Sequence, residues 1–181
     1  MNTWENIERK ALWSLEHAHD LAPRETVAGM MPLLRIWDYR PLESYTSWTI
    51  LSSGETGALD RPMVREVVWS RRQDEEHQAL VNRKDKLRTK SQSTIRVRDA
   101  RLSTEDLRPF MDAAGRRFVP SIPPEHSASQ GNSCGIEGYR SLAYLRMEWR
   151  GSGPPEWDET IRWVTSLRDL LIASLKEREK V

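Results

Sequence analysis

GYRSLAYLRMEWRGSGPPEWDETIRWVTSLRDLLIASL, residues 138–175, decides the fold. Leu145, Met147 and Trp149 alternate with Tyr144, Arg146 and Glu148, the period-two pattern of a strand with one buried face. Residues 136–149 therefore hold either one bent strand or a hairpin, with this strand as the second part. Gly151 and Gly153 release the chain, and Pro154 and Pro155 open a helix, because proline is welcome in a first turn. Trp157, Ile161, Val164, Leu167, Leu171 and Leu175 recur at helical spacing and form a buried stripe that Trp163 and Leu170 widen. Glu156, Asp158 and Glu159 lie at the positive end of that helix, and Lys176, Arg178 and Lys180 at the negative end, as its dipole favours. The stretch builds a core and carries no reactive group.

Working outward, Trp4, Ile7, Ala11, Leu15 and Ala18 mark an amphipathic helix over about 4–20, capped by Asn2 or Thr3 and ended by Pro23. His17 and His19 on it point about 200° apart, so they cannot share a metal. Residues 30–41 contain Pro32 and Pro41, which argue for irregular or edge structure. Residues 45–51 read as a strand with Thr46, Trp48 and Ile50 on one face. A turn follows at 53–57, and 63–70 is the return strand of an antiparallel hairpin. Residues 71–93 are polar and charged. A solvent-facing helix over 74–88 is one reading, but Leu80, Val81 and Leu87 are its only large aliphatic residues, so a flexible insertion is expected. From 93 to 102, Ile95 and Val97 point inward while Arg96 and Arg98 point outward, another strand. Ser103 caps a helix whose inner face is Leu107, Phe110, Met111 and Ala114, with Gly115 as its stop. Residues 118–133, with Pro120, Pro123 and Pro124, read as an extended loop.

Strands and helices are interspersed without regular strand–helix–strand alternation. The expectation is one α+β domain over residues 1–181: an antiparallel sheet of about five or six strands, helices mainly on one face, and a long C-terminal helix. The charged segment 71–93 is its one insertion. A chain of 181 residues can bury a sizeable core. Mean hydropathy of −0.70 and the lack of any long apolar run argue for a soluble protein without a membrane partner. Met1 to Asn6 has neither the basic start nor the apolar core of a secretory signal, and a single cysteine permits no intrachain disulfide. A cytoplasmic location is expected. Eight tryptophans stand against two phenylalanines. Most fall at in-pattern apolar positions and are expected in the core, the alternative being an aromatic contact surface for a partner.

The closing pattern of a strand ending at Trp149, then Gly151, Pro155, Trp157 and a Leu-rich helix, resembles the tail of a group of bacterial proteins to which no activity is attached. In that group an Asp-Gly pair and a nearby Tyr precede the strand; here the pair is Glu137-Gly138, with Tyr139 directly after. The strands at 45–51 and 64–69 fit the same group loosely. The resemblance implies a bacterial origin and this fold, and no cofactor or catalytic residue.

Candidate chemistry is sparse. Cys134 lies in a glycine-rich loop with His126 eight residues earlier, a placement that suits a nucleophile with a base in reach. Cys134 and the four histidines are too scattered for structural zinc, and Gly131 to Gly135 lacks the glycines and lysine of a phosphate loop. No cofactor is expected. The distinctive charged feature is 83–101, with Arg83, Lys84, Lys86, Arg88, Lys90, Arg96, Arg98 and Arg101 against Asp85 and Asp99. Its local charge is +6, which leaves −5 on the remainder of a chain of net charge +1. Such a run can meet phosphates or an acidic protein, but it lacks interleaved aromatics for base stacking. The leading expectation is a non-enzymatic module of the bacterial cytoplasm that binds another protein, as immunity proteins and accessory subunits do. The alternatives are weak nucleic-acid contact through 83–101 and an enzyme using the Cys134 loop.

Overall fold

The computed structural model describes residues 3–21, 27–41, 43–54, 59–83, 94–114, 132–139, 142–143 and 145–178. Six strands form a single sheet: β1 (Met31–Tyr39), β2 (Tyr45–Ser52), β3 (Met63–Trp69), β4 (Ile95–Arg101), β5 (Ser133–Gly138) and β6 (Arg146–Arg150). Their order is β4-β3-β2-β1-β5-β6, and every neighbouring pair is antiparallel. Four α-helices complete the fold: α1 (Thr3–Glu16), α2 (Arg71–Arg83), α3 (Thr104–Ala114) and α4 (Asp158–Arg178). This is the α+β domain that alternation and the closing helical stripe predict.

Strand alternation sorts the core into two layers. On one face, Leu34, Ile36, Trp48, Ile50, Val64, Ile136 and Met147 meet Leu107 and Ala114 of α3 and Val164, Leu167, Leu171 and Leu175 of α4. On the other, Val67 and Trp69 meet Ala11 and Leu15 of α1 and Ala18 just beyond it, with Tyr39, Tyr45, Ile95 and Val97 half-buried alongside. The larger layer lies under α3 and α4. Six tryptophans (Trp37, Trp48, Trp69, Trp149, Trp157 and Trp163) are buried, Trp4 is half-buried and Trp13 is exposed.

Three expectations are corrected. Residues 31–39 are neither irregular nor an edge: β1 pairs with β2 on one side and β5 on the other. Pro32 sits at the register shift before Leu34, where a missing donor is tolerated, and the strand ends before Pro41. Both faces of β1 are covered, so its apolar residues do not alternate and the period-two signal is lost. Next, residues 71–83 form α2 instead of a flexible insertion. Its anchors are polar: Asp74 accepts hydrogen bonds from Trp69 Nε1 at 2.8 Å and from the Thr94 backbone N–H at 3.0 Å, and Arg71 donates to the Tyr45 hydroxyl at 2.9 Å. Residues 84–93 lie outside the described residues. Finally, the first helix ends at Glu16, not near 20. His17 leaves helical geometry, and a 3-10 turn follows over Ala18–Asp20. Pro23, the expected stop, lies outside the described residues.

The alternative of a hairpin after residue 136 is the one observed, as β5 and β6. Gly138 N donates to Leu145 O at 2.7 Å to close it.

Candidate functional site

Helix α1 docks through Ile7, Ala11 and Leu15, each at most 6% exposed, and Ser47 Oγ of β2 donates to Leu15 O at 2.8 Å. Trp13 lies two residues from Ala11 and Leu15, about 200° around the helix axis, so it must face away from the sheet. It is 46% exposed. Its ring is not loose: it stacks on His17 with centroids 4.8 Å apart and planes 10° from parallel. His17 Nδ1 lies 3.0 Å from Trp13 O, which ties the imidazole to the same turn. Around the indole, Glu5, Glu8, Arg9, Leu12 and Glu16 line a shallow groove of about 450 Å³. Three carboxylates face one guanidinium there. Glu8 pairs with Arg71 of α2 at 3.2 Å, whereas Glu5 and Glu16 have no ion pair among the described residues. A rigid exposed indole with an acidic rim can seat a cationic side chain on its face or an apolar one at its edge.

The basic segment does not form one surface among the described residues. Arg83 closes α2, and Lys84, Lys86, Arg88 and Lys90 lie outside the described residues. Arg96 and Arg98 are exposed on one face of the edge strand β4, with Ile95 and Val97 turned to the opposite face as expected; Arg101 shares that opposite face. Arg98 is committed: its Nε donates at 2.6 Å to Glu66, whose other carboxylate oxygen accepts from Trp48 Nε1 at 3.0 Å. The charges on β4 serve an edge strand well, since they discourage pairing with another sheet.

Cys134 is on β5, not in a loop. Its thiol lies 3.6 Å from Asp38, a carboxylate also held by Arg40 at 3.0 Å and Arg168 at 3.5 Å. Burial, and then the negative charge of Asp38, push the thiol up to about 12. An activated cysteine needs the reverse environment, with exposure and positive neighbours. His126 lies outside the described residues. Among those residues, no three His, Cys, Asp or Glu side chains are gathered to hold a metal ion, and no helix is long and apolar enough to cross a membrane.

The Trp13 face is missing from the sequence reading, although its signal is present: Trp13 is the one large aromatic residue of 3–16 that stands off the Trp4–Ile7–Ala11–Leu15 stripe. Comparison with protein families, with curated proteins and with solved structures returns no match to this chain.

Proposed function

We propose that this chain is a non-enzymatic protein-binding module of a bacterial cytoplasm, immunity-protein-like or an accessory subunit, and that the outer face of α1 receives the partner. The observation that carries the reading is Trp13: a large indole, 46% exposed, pre-stacked on His17 and rimmed by glutamates. Tryptophan in such a setting is an interface anchor, and rigidity before binding lowers the entropy lost on association. The acidic rim selects a partner surface that presents lysine or arginine.

The test is a tagged pull-down from native bacterial lysate, with nuclease, using wild type, Trp13→Ala and a Glu5→Lys/Glu16→Lys double variant. The expected result is one stoichiometric protein that survives nuclease, is held about thirtyfold or more weakly by Trp13→Ala, and is lost with the double variant. All three forms should melt alike, because these side chains are not in the core. A partner retained equally by all three would remove α1 as the docking face. Recovery that vanishes with nuclease would overturn the protein-binding reading itself.

A further inference from the structure

A second concavity lies at the end of the sheet where the β2–β3 hairpin closes and β4 passes into α3. Its volume is about 740 Å³, within the range of small-molecule sites. The apolar lining is Met30, Leu59, Met63 and Leu102. Met63 belongs to a satellite core with Val27 and Leu51, and Met30 packs against it, so this part of the groove has a packed floor. The junction is fixed, since Leu102 N donates to Pro62 O at 2.8 Å.

Two guanidiniums, those of Arg61 and Arg101, line the same groove. Neither has an ion pair among the described residues. One carboxylate, that of Asp60, lines the groove with them, so the two guanidiniums outnumber it there. The Asp60 carboxylate accepts from Ser53 Oγ at 2.6 Å, and the Asp99 carboxylate, two residues from Arg101 on the same face of β4, is gripped at both oxygens by Arg65. Arg61 holds a left-handed backbone, φ 46°, the only non-glycine residue to do so among those described. That conformation costs stability in a residue with a Cβ. Glycine would relieve the strain but would bring no cation.

We propose that this groove binds a small amphipathic anion: a carboxylate on an acyl or aryl body, with the carboxylate received by Arg61 and Arg101 and the body resting on Met30, Leu59, Met63 and Leu102. This site is independent of the α1 face, and its test does not depend on any partner.

The probes are octanoate, with octanol and octylammonium as neutral and cationic controls, read by methyl NMR of Met30 and Met63. Octanoate is expected to give saturable shifts of both methyls and to bind about tenfold or more tightly than octanol. Arg61→Gln and Arg101→Gln should each weaken octanoate about tenfold and leave octanol within about twofold. Arg61→Gly separates binding from folding: it should lose octanoate affinity to the same degree while melting no lower than Arg61→Gln. Octanoate binding no tighter than octanol, or equal affinity in the wild type and both glutamine variants, would overturn the proposal.

Discussion

The most consequential buried feature is the pair of Arg65 on β3 and Asp99 on β4. Arg65 is 0% exposed and Asp99 7%. The two are direct cross-strand partners, and the guanidinium is bidentate, with Nε to Oδ1 at 2.7 Å and Nη2 to Oδ2 at 2.8 Å. The remaining Nη1 donates to Ala18 O at 3.2 Å and Leu21 O at 2.7 Å, so the same side chain closes the sheet and ties down the turn after α1. Asp99→Ala removes two charge-assisted bonds and leaves a cation where water cannot reach it. Breaking a buried pair from one side costs about 3–5 kcal/mol. Arg65→Met strands the carboxylate and also takes the donor from two carbonyls, so its cost should match or exceed this. Arg65→Met/Asp99→Leu strands neither charge and should lose only about 1–2 kcal/mol, mainly for the carbonyls of Ala18 and Leu21.

Urea unfolding followed by tryptophan fluorescence measures all four proteins. Because the double variant should be more stable than either single one, the cycle should close with a coupling energy of at least about 3 kcal/mol. Hydrogen exchange adds a local readout: the turn over 18–21 should lose protection in both Arg65 variants, and less in Asp99→Ala, where Nη1 keeps its acceptors. Additive single effects, or an Asp99→Ala cost below about 1 kcal/mol, would refute the reasoning, because either means that water or another group takes over the guanidinium.

The remaining predictions concern β5. Cys134, with its thiol pushed up to about 12 against a reference of 9, should alkylate slowly at pH 8. Thiolate is scarcer by about a thousandfold, and the greater nucleophilicity of a more basic thiolate returns only part of that, for a net slowing of about thirtyfold or more relative to a free cysteine. Asp38→Asn should speed the reaction, and rates comparable to a free thiol in wild type would contradict the burial argument. The same raised value has a sign in pH titrations of stability. The contribution of a protonated thiol is full below pH 9 and is lost progressively between about 9 and 12, so Cys134→Ala should flatten that limb of the curve. Gly135→Ala and Gly138→Ala form a graded pair. A Cβ at Gly135 would run into the Trp37 ring, and one at Gly138 into the backbone oxygen of Leu142. A side chain can yield and a hairpin backbone cannot, so thermal unfolding should show a loss of about 1–3 kcal/mol at Gly135 and a larger one at Gly138.

The legible parts of the sequence were the periodic ones. The stripe from Trp157 to Leu175 became a 3-10 turn (Pro155–Trp157) running into α4, and the alternation of Leu145, Met147 and Trp149 became the end of the hairpin. The 45–51 and 63–70 runs became β2 and β3, and the single-domain α+β architecture rests on them. The illegible parts are held by polar contacts between residues distant in sequence. Arg71–Arg83 looks unanchored if only aliphatic residues are counted, yet the Trp69–Asp74–Thr94 bonds fix both ends of the connection. Residues 31–39 look irregular because both faces are buried. Arg98 reads as one charge in a basic run, but it sits opposite Glu66 in the register and is neutralised there. Hydrophobic periodicity reports which face is apolar; it is silent on which charge meets which across a ladder.

The buried polar residues also bear on why α1 is suited to present a binding face. A helix that docked only through small apolar contacts such as Ala11 and Ala18 could slide along the sheet, since those contacts have little directional preference. Bonds with fixed geometry remove that freedom: Ser47 Oγ meets the Leu15 carbonyl, and Arg65 takes those of Ala18 and Leu21. Both grip the C-terminal end of α1 and the turn beyond it, close to Trp13 and His17. The indole is thus mounted near these tethers while its own side chain lies outside the buried clusters. The docked face and the proposed contact face are opposite sides of one helix, so on that proposal substitutions at Trp13 should change association without changing the fold, whereas substitutions at Arg65 should change both.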